Sequence, residues 1–133
     1  MPARRRAAQT TVEAALALPT LLLVLFVLLQ SALYVHALHV ARAAAQEGAR
    51  AAASDGATLA DGEQRARALL VAGLGRSGLS LSVDPGEDAS SVQVRVHGSM
   101  GLLGVGPVRR MGLPLEAWGS ATRESFRPSG GGG

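Results

Sequence analysis

The chain of 133 residues has no cysteine, and aromatic side chains make up only 3% of it. Without cysteine there is no disulfide to staple a small domain, no thiol nucleophile and no thiolate metal ligand. One Trp, one Tyr and two Phe are too few for the stacking platforms that single-stranded nucleic acid needs. Lysine is missing as well, so every basic residue is Arg. With Ala and Gly abundant, we read this as GC-rich codon usage and not as a binding signal.

Charge is scarce where it would matter most. The formal net charge is +3, and Arg4, Arg5 and Arg6 account for all of it. From residue 7 onward, Arg and acidic residues balance. The basic character is therefore a short head and not a basic face, and no nucleic-acid partner is indicated. Between Glu13 and Arg42 there is no Asp, Glu, Lys or Arg at all.

That gap marks the stretch around which the chain is organised, Thr11 to Ala53, expected to be one long helix. Leu21 to Leu29 is an unbroken apolar run. Each such residue favours insertion at the helix centre by roughly 0.3 to 0.6 kcal/mol. A bilayer core needs about 20 largely apolar residues, and Ala14 to Leu38 supplies them. The first half is read as a single-pass transmembrane helix in the cell membrane. Arg4 to Arg6 place the N-terminus in the cytoplasm and the C-terminal part outside by the positive-inside rule. At about 1.5 Å per residue the helix is much longer than the bilayer is thick, so its second half is a stem that must project or pack.

The helix start reads as a capping box, Thr10-x-x-Glu13, with Glu13 suited to the positive end of the helix dipole. Pro19 removes one backbone hydrogen bond and is expected to kink the helix. In the stem, Ala37, Ala41, Ala44, Ala45, Gly48 and Ala52 fall on one side, with His39, Arg42, Gln46 and Arg50 opposite. Small residues at spacings of three and four let another backbone approach closely. The ridge suits either bundling with other helices or packing under the chain's own C-terminal domain.

Ser54-Asp55-Gly56 reads as the helix stop. Thr58 to Leu74 reads as a second helix with Leu59, Ala66, Leu69, Leu70 and Leu74 on its apolar face. Leu79 to Val83 alternates like a strand, Asp84 to Asp88 is a turn cluster, and Val92, Val94 and Val96 mark a second strand. Gly98 to Gly112 reads as a glycine-rich connection. Leu113 to Thr122 reads as a third strand, with Pro114 placing it at an edge. The expected class is α+β, with a short antiparallel sheet of about three strands. The domain plan is a cytoplasmic leader over 1–8, membrane helix and stem over 9–53, an extracytoplasmic domain over 54–126 and a disordered tail over 127–133.

No catalytic constellation stands out in the sequence. There is no phosphate-binding loop or dinucleotide fingerprint, since Gly101-x-x-Gly104-x-Gly106 lacks the strand–helix setting. His36 and His39 share a helix flank but lack a third ligand, and Glu47 is two turns away. His97 stands alone on the outer face of a strand. Tyr34 suits a membrane interface, and Trp118 is expected to pack inside the small domain. No enzyme activity, cofactor, metal or small-molecule substrate is expected.

The opening has the layout of type IV pilin-like precursors: a short basic leader, a small residue, then a helix with a carboxylate near its start. Two segments carry a closer likeness, Val12-Glu13-Ala14-Ala15-Leu16-Ala17-Leu18-Pro19 and Ala45-Gln46-Glu47-Gly48-Ala49-Arg50. The first looks like V-E-x-A-L-x-L-P and the second like A-x-E-G-A-R, as in the TadE-like family of tight-adherence (Flp) pilus assembly proteins, which the chain resembles. Ala8 stands where that class usually has Gly, and Ala14 where it often has Phe. The resemblance implies a minor pseudopilin cut by a prepilin peptidase between Ala8 and Gln9, with Glu13 fifth in the mature chain and active in assembly. Its partners would be other pilin subunits and the assembly machinery. The competing readings are an uncleaved single-pass anchor, or a secreted binding module whose signal peptide ends at Ala43-Ala44-Ala45.

Overall fold

The computed structural model describes the backbone of residues 2–102 and 111–123, and side chains from Val12 onward save that of Leu79. The expected tail over 127–133 and the glycines Gly104 and Gly106 lie outside the described residues. Two compact units result, residues 1–33 and residues 34–133.

Helix α1 spans Pro2–Ala53. It starts eight residues before Thr10, so Thr10 and Glu13 lie inside the helix and no capping box opens it there. The reason is local. Pro2 occupies a first-turn position where its missing N–H costs nothing, and the Ala and Arg that follow are strong helix formers. Pro19 is accommodated inside the helix. Within Val12–Ala53 lies a window long and apolar enough to cross a membrane.

The second unit combines the latter part of α1 with helix α2, Leu59–Leu74, a short 3-10 turn over Gly75–Ser80, and strands β1, Ser82–Glu87, β2, Ser91–Gly101, and β3, Gly112–Thr122. The three strands form one antiparallel sheet in the order β1-β2-β3. The α+β architecture is as the periodicities indicate. The core joins Ala37, Ala41, Ala44, Ala45 and Ala49 of α1 to Ala66 and Leu70 of α2 and to Val83, Val94, Val96, Leu115 and Ala117 of the sheet. Leu70, Leu115 and the three Val of β2 are its largest fully buried side chains.

A core rich in alanine holds together because backbones approach closely. A Cβ built on Gly48 would lie 2.8 Å from the Gly62 carbonyl oxygen, and one on Gly62 would lie 2.6 Å from the Gly48 carbonyl oxygen. The two helices thus cross backbone to backbone, which only glycine permits at that separation.

Gly56 at φ 74° turns the chain after α1. Thr58 then caps α2. Its hydroxyl accepts from the Asp61 N–H at 3.3 Å, while the Asp61 carboxylate accepts from the Thr58 N–H and hydroxyl, each at 2.7 Å. The hydrogen bonds from the Thr58 side chain and then from its backbone hold the Asp61 carboxyl below the usual carboxylate range. A depressed carboxyl pKa stabilises the fold above the ordinary carboxylate range, and that contribution is lost as pH falls through the lowered value. Thr58→Ala is expected to lower the melting temperature at neutral pH by about 5 °C. The gap should close in strong acid, once Asp61 is protonated in both proteins. Thermal melts across a pH series check this.

The first strand departs from the expected boundaries. Leu79 and Ser80 belong to the 3-10 turn, where the Ser80 hydroxyl donates to the Ser77 carbonyl at 2.8 Å. Asp84 to Glu87, expected as a turn, are strand. Pro85 is tolerated because β1 is an edge strand and the missing N–H faces away from β2. The turn falls instead at Asp88 to Ser90, closed by the Asp88 N–H bonding the Ser91 carbonyl at 2.8 Å. Gly98 to Gly101, expected as part of a connection, continue β2. β3 is the other edge, consistent with Pro114 in it.

Candidate functional site

Among the described side chains of the first unit, one is charged. Glu13 is exposed on α1, among exposed neighbours such as Val12 and Leu16. The hydroxyls that follow are satisfied within the helix, Thr20 donating to the Leu16 carbonyl and Ser31 to the Val27 carbonyl, both at 2.8 Å. Such back-bonding leaves neither hydroxyl unmet in a hydrocarbon environment. Pro19 has no N–H for the Ala15 carbonyl, two residues beyond Glu13. The side chains of Ala8 and Gln9 lie outside the described residues.

The small-residue ridge is not a free surface. Ala37, Ala41, Ala44, Ala45, Gly48 and Ala52 are all buried in the second unit against α2 and the sheet. Of the two partners open to the ridge, it meets the chain's own domain. The reciprocal glycines, Gly62 in α2 and Gly119 in β3, escape a reading of the ridge alone. Their signal is a glycine inside an otherwise regular helix or strand, which marks a close approach.

The singled-out aromatic and imidazole groups mostly serve the sheet. The Tyr34 hydroxyl donates to the Pro114 carbonyl at 2.9 Å. His36 Nε2 sits 3.4 Å from the Gly73 carbonyl oxygen, and His39 is exposed. His97 is not alone: its Nδ1 lies 3.2 Å from Asp84 Oδ2 on the next strand. Trp118 is not interior. It is 57% exposed on the outer sheet face, with the Arg95 guanidinium 5.0 Å from its ring centroid. The alternation of β3 explains this, since Leu115, Ala117 and Gly119 take the inward positions. Among the described residues no cluster of three His, Asp or Glu is placed to hold a metal ion.

No curated protein matches the chain, and no solved structure does either. A family comparison does find a match, over the segment that carries both motifs and runs through the apolar part of α1. Residues 8–50, about a third of the chain, match the family described as TadE-like protein, and this TadE-like segment supports involvement in tight-adherence pilus assembly.

Proposed function

We propose that the protein is a membrane-held minor pseudopilin of a tight-adherence (Flp-type) pilus, matured by a prepilin peptidase between Ala8 and Gln9. The observation that carries this reading is the family match, which begins at Ala8 and ends at Arg50. It takes in the Val12 to Pro19 opening and the Ala45 to Arg50 segment together, on one continuous helix. The role is structural and not catalytic. The apolar part of α1 holds the subunit in the cell membrane with its N-terminus cytoplasmic and the second unit outside. Glu13 is the residue available for assembly, and the other subunits and the assembly machinery are its partners. The stem's small residues are spent in the core of the second unit, which leaves the apolar first half of α1 for bilayer and neighbouring helices.

The test is the N-terminal sequence and intact mass of the protein from its native membrane. A start at Gln9 is expected, and Ala8→Leu is expected to leave the leader attached. A start at Gln46 with the product in the medium would replace the reading with a secreted module. An uncut start at Met1 or Pro2 would leave a plain anchor.

A further inference from the structure

The free edge of β3 is closed at two points and open between them. β2 flanks β3 on one side only. The Arg123 N–H bonds the Ser90 carbonyl at 3.1 Å, and the Leu102 N–H bonds the Met111 carbonyl at 3.2 Å. In an antiparallel ladder the bonding groups alternate along a strand. The odd-numbered residues of β3 therefore turn their N–H and C=O towards β2, and the even-numbered ones turn theirs away. Of these, Pro114 has no N–H, and its carbonyl accepts the Tyr34 hydroxyl. The Ser120 carbonyl accepts from Gln46 Nε2 at 3.2 Å. Between them stand Glu116 and Trp118, whose outward N–H and C=O groups meet no hydrogen-bonding partner among the described residues. The opposite edge of the sheet has no matching opening, because Pro85 removes a donor at its middle.

The opening faces a cleft lined by Arg42, Ala43, Gln46, Glu116, Ala117 and Trp118. Its charges are not balanced. Glu116 is already paired, with Arg95 Nη2 at 2.8 Å from its Oε1. Arg42 is exposed and has no ion pair among the described residues. The cleft thus offers two unbonded edge residues, an exposed indole and one unmatched positive charge.

We propose that this gap receives an extended acidic segment of a partner protein, added beside β3 as a short fourth strand. Strand addition supplies main-chain hydrogen bonds for affinity and leaves side chains to set specificity. The capped carbonyls of Pro114 and Ser120 limit the guest to about five residues at roughly 3.3 Å each. Ala43 leaves room beneath it. A carboxylate on the guest reaches Arg42, and a side chain on the outer sheet face rests against Trp118. This site stands independently of the pilus reading, and it uses only the second unit.

The test uses the full chain in detergent and a blocked pentapeptide of alternating threonine and valine with a central glutamate. Trp118 is the chain's single tryptophan, so its fluorescence reports the cleft directly. Saturable binding is expected, with amide exchange at Glu116 and Trp118 slowed about tenfold and that of Val92 to Val96 unchanged. A central lysine in the peptide should weaken binding about tenfold, and Arg42→Glu should reverse that preference. A peptide with proline for both valines should not bind. The proposal is overturned by unchanged exchange at Glu116 and Trp118 at about 1 mM peptide. Equal binding of the proline peptide, or a charge preference indifferent to Arg42→Glu, overturns it as well.

Discussion

Gly119→Ala is expected to destabilise the second unit by about 2 kcal/mol, although the same change helps in many strands. Two effects compete. Replacing a strand-interior glycine by alanine restricts the unfolded chain and favours folding by about 0.5 to 1 kcal/mol. Against this, a Cβ on Gly119 meets the backbone of Ala45 and Gln46 in α1, closer than any van der Waals contact allows. Overpacking a tight site costs about 1 to 3 kcal/mol when side chains can give way. Here the obstacle is a helix backbone, whose carbonyl and amide are fixed by the helix's own hydrogen bonds, so the cost falls at the upper end. Gly119→Val should exceed it and lower the melting temperature further, taking a large share of the about 5 to 15 kcal/mol that a domain has in hand. Gly101→Ala is the control. It adds a methyl to a strand of the same sheet where nothing lies within 4 Å, and it should stay within about 0.5 kcal/mol of the unaltered protein. Thermal melts of the three variants by circular dichroism read the series. A melting temperature for Gly119→Ala at or above that of Gly101→Ala would show that β3 does not press on α1 at this point.

The same contact shows what could and could not be read from the chain. Elements whose cause is local were legible. The end of α1 needs only Gly56, the start of α2 needs only Thr58 and Asp61, and β2 announces itself through Val92, Val94 and Val96. The small residues of the stem were legible as a ridge, but not what it meets, because Gly62 and Gly119 lie far off in sequence and each alone looks like a weak spot in its element. Leu79 to Val83 shows why short alternation misleads. Five residues cannot distinguish a strand from a 3-10 turn entering one, and the turn prevailed over Leu79 and Ser80. Trp118 was misplaced for a related reason. Its size suggests burial, yet its position opposite Arg95 in the register puts it outside, where the guanidinium covers one ring face. The proline residues are informative in a different way. Pro114 signals one edge, and Pro85 marks the other, although its turn-forming neighbours Asp84, Gly86 and Asp88 mask that signal.

Glu13→Ala is expected to leave the protein in the membrane and to remove the pili. The charge has no use in insertion. A carboxylate costs up to about 2.5 to 3.5 kcal/mol at the bilayer centre and less towards the boundary, so replacing it with alanine can only make insertion easier. Within the first unit Glu13 is exposed and makes no ion pair among the described residues. Leader removal would take Arg4 to Arg6 away, and the next basic residue along the chain is Arg42. On the proposed cleavage, the counter-charge is therefore the α-amino group that the cut creates at Gln9 of a neighbouring subunit. Opposite charges about 4 Å apart attract by about 4 kcal/mol at an effective dielectric constant of 20, before desolvation is subtracted. That attraction is absent from the isolated subunit and present only between subunits, which is why its loss should appear in assembly and not in stability. Membrane-fractionated protein should hold within about twofold of the unaltered level, while pili counted by electron microscopy fall by about tenfold or more. Glu13→Gln separates charge from shape and should fail as alanine does. Glu13→Asp keeps the charge and should retain part of the assembly. Normal pili from the Glu13→Ala strain would reduce Glu13 to one more polar residue in the helix and leave the TadE-like segment without its proposed contact.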